Sequence, residues 1–199
     1  GMAPDVLPRA AASAGAFVRG LAPGAAATEV RHGAAAADVL GQTVRALRAM
    51  GIDPVYWHGN EGHAGFHLLE RVREWVAQGL TFDEASQRVE ASSVFTSHTP
   101  VPAGHDVFPP YLMDRYFSYF WPQLGLSRQE FLALGHHDAS GEGFNMTALS
   151  MRLSGFRNGV SMRHGEITRA MWHDLWPDIE QSLTPIPSIT NGVHLPTWI

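Results

Sequence analysis

Ser93-Val-Phe-Thr-Ser-His-Thr-Pro100 joins a short apolar run directly to polar side chains and then to a proline. Residues 93–96 have the β-branched and aromatic character of a strand, and Pro100 marks the loop that follows. In an open α/β sheet, ligands bind at the carboxyl ends of the strands, where such polar turns lie. This segment therefore indicates a strand whose end, at His98 and Thr99, faces a binding site.

Three further segments share this design of an apolar run followed by polar side chains. They are Pro54–Trp57 before His58–His63, Asn158–Ser161 before a helix with His164 and Glu166, and Ile186–Ile189 before Asn191 and His194. Because the carboxyl ends of parallel strands face the same way, we expect the four polar clusters to converge on one crevice. A single such side chain more often caps a helix or satisfies the backbone, whereas four clusters at one edge favour a site.

Helical patterns fill the intervals between these strands. Apolar residues recur at helical spacing over residues 34–47 and 66–76. Thr81-Phe-Asp-Glu84 and Ser127-Arg-Gln-Glu130 are capping boxes, and Asn145 can cap a further helix. Strands that alternate with helices predict an α/β fold, with a Rossmann-like parallel sheet and flanking helices.

The chain divides into an arm and one domain. Residues 1–27 are rich in Ala, Gly and Pro and lack clear periodicity, so we expect a frayed helix or a disordered arm. Residues 28–199 are expected to form a partial Rossmann-like domain. Its sheet would have few strands for a chain of 199 residues, which favours part of something larger.

Composition narrows the classes of partner. The net charge is -5 and the isoelectric point about 6.1, which argues against nucleic acid, because phosphate binding needs a basic surface. No apolar run approaches the roughly 20 residues of a membrane-spanning helix, so no membrane partner is expected. The absence of cysteine excludes disulfides and thiolate metal sites. We therefore expect a cytoplasmic protein.

The residue types at the four strand ends suggest the kind of ligand. Asn, Ser, Thr and His beside Trp57 and Phe95 suit a hydroxyl-rich molecule such as a sugar. Phosphate would need a Gly-rich loop or basic residues, and the sequence has neither a Walker motif nor GxGxxG. A metal is the competing interpretation for eleven histidines. However, His58 and His63 lack the HExxH spacing, and His136-His137-Asp138 suits only an adventitious ion.

At these same residues the sequence resembles the α-glucan (glycogen) phosphorylases, particularly their bacterial and archaeal branch. The resemblance covers residues 28–199. Five blocks in the family's order carry it: Trp57–His63, Phe95–Asp106, Phe144–Thr147, Asn158–Glu166 and Thr190–Trp198.

The resemblance implies a GT-B fold, in which a sugar lies between two Rossmann-like halves. It implies phosphorolysis of an α-1,4-glucan or maltooligosaccharide to glucose 1-phosphate, with pyridoxal phosphate bound by a lysine. Its substrate-binding residues are carried over to the matching positions in this chain. They are His98 at the glucosyl unit, Asn191 at a sugar hydroxyl, Val160 in the same pocket, and Glu61 and His63 on the cleft wall.

The resemblance matches the C-terminal part of the family's N-terminal domain only. The expected function is thus that of a phosphorylase fragment that supplies the sugar-binding wall, without a complete catalytic set, without its own cofactor lysine and inactive alone. The alternative is a stand-alone, non-catalytic glucan-binding or assembly module. A domain open at its cleft exposes apolar surface, so we also expect a homo-oligomer.

Overall fold

The computed structural model describes residues 35–193 and 195–198. The expected arm, residues 1–27, and His194 lie outside the described residues. Within the described part, strands and helices alternate as predicted for an α/β fold, and two short strands at residues 107–108 and 144–145 were not predicted.

The elements are numbered here in chain order. The helices are α1 (Ala35–Ala49), α2 (Phe66–Val76), α3 (Phe82–Ala91), α4 (Pro110–Phe117), α5 (Arg128–Leu134), α6 (Met146–Arg152), α7 (Met162–Met171) and α8 (Leu195–Trp198). The strands are β1 (Trp57–Asn60), β2 (Ser93–Ser97), β3 (Val107–Phe108), β4 (Phe144–Asn145) and β5 (Phe156–Gly159). Short 3-10 helices lie at Gly62–Ala64, Pro102–Gly104, Trp121–Leu124, Asp138–Ser140, His173–Leu175 and Gln181–Leu183.

A three-stranded parallel sheet in the order β1-β2-β5 forms the framework of the site. Phe95 at its centre lies opposite Gly59 on one side and Arg157 on the other. The two short strands β3 and β4 pair separately and antiparallel. The parallel sheet with flanking helices confirms the predicted fold class at this level.

The predicted closing strand near Ile189 lies beside β5, but it is reduced to one bridge. Ser188 pairs with Gly159 in parallel, and the Ile189 N–H donates to the Gly159 carbonyl over 2.9 Å. Pro187 has no N–H to give to a ladder, so a longer strand cannot form around it. The closing segment still brings Asn191 to the edge at which β5 ends.

The first strand begins later than the sequence predicts. Residues 54–57 were expected as a buried strand, yet Val55 and Tyr56 are 77% and 67% exposed. The ladder starts at Trp57, whose N–H donates to the Ser92 carbonyl over 2.9 Å. The prediction from apolar character therefore placed the start of this strand about three residues too early. The reason is that β1 is made mostly of polar residues and a glycine.

The helices and the long loops enclose an aromatic core. Phe66 stacks on Phe117 with ring centroids 4.7 Å apart, and Phe131 stacks on Phe144 at 5.4 Å. All four rings are buried, and each such side chain contributes about 1.5–3 kcal/mol through burial. Phe117 and Phe120 belong to this core, and Tyr116, Tyr119 and Trp121 pack against it while partly buried. A second core of Phe95, Ala148, Met151, Trp172 and Ile186 lies behind the sheet.

The helix starts predicted from capping residues are confirmed. Thr81 and Ser127 accept the N–H groups of Glu84 and Glu130, and both glutamates bond back to the capping residue. Asn145 accepts two N–H groups in the first turn of α6. These caps fix where the connecting loops end and therefore where the strand-end residues lie.

Candidate functional site

The ends of β1 and β2 meet, as predicted, at the carboxyl edge of the sheet. His98 follows the last residue of β2, and its Nε2 lies 2.8 Å from Oδ1 of Asn60, the last residue of β1. Both side chains reach solvent at this edge. His98, a predicted site residue, is thus held in place by Asn60, which was not among the predicted site residues.

Glu61 holds the backbone of the same loop. Its Oε1 accepts the N–H groups of both His98 and Thr99, the latter over 2.9 Å. Its backbone has φ 68° and ψ 163°, and it is the only non-glycine residue with positive φ in the described part of the chain. Its N–H still donates to the Thr96 carbonyl over 3.0 Å, so β1 pairs up to the turn.

A chain of side-chain hydrogen bonds crosses all three parallel strands near this edge. His58 Nε2 lies 2.6 Å from Thr96 Oγ1, and the Thr96 hydroxyl donates to Asn158 Oδ1 over 2.9 Å. Because the threonine proton goes to Asn158, its oxygen accepts from His58, which carries its proton on Nε2. This polar ladder fixes the spacing between β1, β2 and β5 at the site.

A cavity of about 120 Å³ opens beside Glu61 and His63. Three of the five sequence blocks line it together. The lining residues are Glu61, Gly62, His63, Thr99, Gly104, His105, Asp106 and Thr147. A Cβ on Gly62 would lie 2.6 Å from Thr147 Oγ1, so only glycine allows this approach.

His105 forms the inner wall of this cavity. Its Nδ1 lies 2.9 Å from Thr147 Oγ1, and its buried Nε2 has no hydrogen-bond partner. Trp172 meets the ring edge-on at 5.0 Å between centroids. Burial lowers the pKa of His105 below its usual value. His105 and Thr147 were not among the predicted site residues, although both lie within the blocks that carry the resemblance.

Val160 and Asn191 form a second group beyond the end of β5. The Asn191 N–H donates to the Val160 carbonyl over 3.1 Å, and the Asn191 side chain is exposed. His164 Nδ1 accepts the Val160 N–H over 3.3 Å and so shapes this turn. Among the described residues, no hydrogen bond joins this group directly to His98 or Glu61.

Neither a metal cluster nor a membrane helix is found in the part of the chain that the structure describes. No group of three or more His, Asp or Glu side chains there could hold a metal ion. None of the described helices is long and apolar enough to cross a bilayer. His136 and Asp138 pair at 3.1 Å on the surface, at the position proposed for an adventitious ion.

A larger cavity lies elsewhere. It has a volume of about 610 Å³, is lined by ends of α1 and α2 including Arg48 and Glu74, and contains none of the predicted site residues. The strand-end groups are therefore the better candidate site. They offer imidazole, amide and hydroxyl groups, with the Glu61 carboxylate engaged by backbone N–H groups, which is the chemistry that recognises hydroxyl groups.

The chain is 44% identical over 156 residues to the maltodextrin phosphorylase of Thermococcus litoralis. It is 45% identical over 169 residues to the glycogen phosphorylase of Mycobacterium tuberculosis and 37% identical over 158 residues to that of Aquifex aeolicus. These matches cover 78–79% of this chain but only 18–22% of the relatives.

No protein-family model matches the chain. The identities nevertheless extend over nearly four fifths of it, in relatives from an archaeon and from two distant bacteria. The chain spans about a fifth of the length of the curated relatives it matches. Over that stretch the chain is a homologue of one part of the glycogen and maltodextrin phosphorylases.

Proposed function

We propose that this chain is a segment of an α-glucan phosphorylase and supplies one wall of its sugar-binding cleft. The observation that carries the proposal is the meeting of His98, Asn60 and Glu61 at the carboxyl edge of a parallel sheet. That edge is where α/β sheets bind ligands. The names of the relatives supply the reaction class, which is phosphorolysis of glycogen or maltodextrin.

The proposed roles follow from what each side chain presents. His98 offers a ring nitrogen to the glucosyl unit, and the exposed Asn191 amide offers a donor and an acceptor to a second hydroxyl. Val160 gives an apolar contact beside Asn191. Glu61 and His63 border the cavity and form the adjoining part of the cleft wall.

The cofactor expected from the resemblance does not fit the residues present. Pyridoxal phosphate is held in this family through a lysine, and all 14 basic residues in the sequence are arginine. No Schiff base can therefore form with these 199 residues. We propose that the lysine and the phosphate-binding residues belong to a second Rossmann-like half of a GT-B fold, outside this sequence. The residues here then bind and orient the glucan.

A stand-alone glucan-binding module is the second candidate. The absence of lysine favours it, because the chain could bind sugar without being able to catalyse this reaction. Both candidates predict sugar binding at the same edge. They differ in whether a longer polypeptide or a partner chain restores turnover.

Calorimetry with maltopentaose tests sugar binding directly. We expect binding by the wild type, and binding about three- to tenfold weaker for Asn191→Ala, since a neutral hydrogen bond contributes about 0.5–1.5 kcal/mol. Gln87→Ala, an exposed change on α3, is the matched control and should bind like the wild type. A folded wild type that does not bind at millimolar sugar refutes both candidates.

An assay of glucose 1-phosphate separates catalysis from binding. The chain alone, with pyridoxal phosphate added, should release no product from maltopentaose and phosphate. Turnover by this chain alone would contradict the argument from the missing lysine.

A further inference from the structure

Two consecutive residues hold His98 from opposite sides. Asn60 binds its ring at Nε2 over 2.8 Å, and Glu61 binds its backbone N–H. The next N–H, that of Thr99, also goes to Glu61 over 2.9 Å. Backbone and ring of His98 are therefore both fixed by the turn that ends β1.

The backbone of Glu61 has a strained conformation in the turn that holds His98. Its φ of 68° and ψ of 163° lie in a region that only glycine adopts without strain. The chain nevertheless carries a glutamate there, although glycines stand immediately beyond it and one position before Asn60. Such strain persists only where the surroundings over-determine it, and here the carboxylate reaches two N–H groups that no strand neighbour takes.

The hydrogen bond between Asn60 and the His98 ring determines which ring nitrogen is left to bind a ligand. Asn60 Oδ1 can only accept, so His98 Nε2 carries the proton in the neutral ring. Nδ1 is then an acceptor with no partner assigned among the described residues. An acceptor of this kind at a solvent-reaching edge suits a ligand hydroxyl that donates.

We propose that Asn60 and Glu61 are positioning residues that preset His98 as a hydrogen-bond acceptor, Asn60 through the ring tautomer and Glu61 through the backbone. The ligand hydroxyl is a sugar hydroxyl, an assignment that rests on the proposed function. Neither residue needs to touch the sugar for this role. Glu61 thereby supports His98 as well as bordering the cavity.

Nuclear magnetic resonance of the histidine rings tests the tautomer without any sugar. At pH 8.5, long-range proton–nitrogen spectra should show His98 protonated on Nε2 in the wild type and in Asn60→Asp, which keeps an acceptor. Asn60→Lys presents only donors and should move the proton to Nδ1. His58, which binds Thr96 instead, is the internal control and should not change. An unchanged His98 tautomer in Asn60→Lys overturns the role of Asn60.

Amide hydrogen exchange tests Glu61. Glu61→Gly relieves the strained backbone and removes the carboxylate. The fold is therefore kept, while the hydrogen bonds from the N–H groups of His98 and Thr99 to Glu61 are lost. Exchange at the N–H groups of His98 and Thr99 should become about tenfold faster, as expected for losing a hydrogen bond to a charged group. Glu61→Gln retains an acceptor oxygen and should lie between the two. Equal exchange rates of these two N–H groups in the wild type and in Glu61→Gly would overturn the proposed role of Glu61.

Calorimetry with maltopentaose then separates this inference from the proposed function. Asn60→Lys should bind at least tenfold more weakly than the wild type, and Asn60→Asp should recover most of the affinity. If the wild type binds and Asn60→Lys binds equally well, the positioning role is wrong while the proposed function stands. If the wild type does not bind, the proposed function and the sugar hydroxyl both fall, whatever the tautomer.

Discussion

His105 Nδ1 lies 2.9 Å from Thr147 Oγ1, and this contact joins the loop after β2 to the first turn of α6. Thr147 is fully buried, and a Cβ on Gly62 would meet its hydroxyl. Residues of three separate sequence blocks, Gly62, His105 and Thr147, thus meet at the Thr147 hydroxyl group. The wall of the cavity beside Glu61 is built around this contact.

Removing that hydroxyl should destabilise the fold. Thr147→Val preserves shape but leaves both ring nitrogens of the buried His105 without a partner, which should cost about 1–3 kcal/mol of unfolding free energy. Ser150→Ala is the control, because the buried Ser150 hydroxyl donates to the Met146 carbonyl within its own helix and contacts no histidine ring. Urea denaturation should show the larger loss for Thr147→Val. Equal losses would mean that the His105 contact adds nothing to stability.

A second prediction concerns acid stability and His67. Burial lowers the pKa of His67 to about 4, and its Nδ1 donates to the Ala64 carbonyl over 2.7 Å. The unfolded ring has a pKa near 6.5, so unfolding takes up a proton between these values. Stability is complete above about pH 6.5 and falls towards pH 4. The loss from this group is at most about 3 kcal/mol, from a shift of about 2.5 pKa units.

Unfolding free energies measured from pH 7 to pH 4 check this dependence. His67→Gln keeps a donor for Ala64 and cannot titrate, so its stability should decline less steeply than that of the wild type. Gln87→Ala, an exposed change that removes no titratable group, is the control and should leave the slope unchanged. If the unfolding free energy of His67→Gln fell with pH as steeply as that of the wild type, the loss of stability in acid would come from other groups.

A third prediction concerns the buried carboxylate that ties α1 to α2. Glu70 is 1% exposed and accepts hydrogen bonds from Arg45 at 2.8 Å and from Arg73 at 2.7 Å. Burial raises the pKa of Glu70, but the two arginines outweigh burial and bring it below its usual value. Glu70→Gln should cost about 3 kcal/mol, since it leaves a buried amide facing two cations.

Glu74→Gln is the control for Glu70, because the Arg48–Glu74 pair is partly exposed and spans 3.2 Å. It should cost less than about 1 kcal/mol. The two variants are compared by urea denaturation at pH 7. Similar losses would show that burial does not distinguish the two ion pairs.

The sequence predicts the features that depend on local rules. Capping boxes at Thr81 and Ser127 specify helix starts through contacts three residues apart, and both are found. The convergence of His98 with the end of β1 follows from the common direction of parallel strands. These parts of the fold and of the site need no knowledge of distant contacts.

Other features depend on contacts between distant segments and could not be predicted. Nothing in the residue order shows that Glu61 adopts a glycine-like backbone or that its carboxylate binds the loop after β2. The His105–Thr147 contact spans 42 positions. The start of β1 was misplaced because its ladder runs through His58 and Asn60, whose polarity gives no strand signal.

The last prediction concerns association through the carboxyl edge of the sheet. Large apolar side chains are exposed in the segments that follow the strand ends: Val101 at 52%, Met162 at 74%, Ile189 at 60%, Val193 at 68% and Leu195 at 59%. Clustered apolar surface favours association, so we expect sedimentation to show species heavier than the 21.7 kDa chain. Met162→Asp should shift the protein towards monomer. Phe156→Asp, at the amino end of β5 and 58% exposed, is the matched control and should not. The reverse outcome would place the contact at the opposite end of the strands.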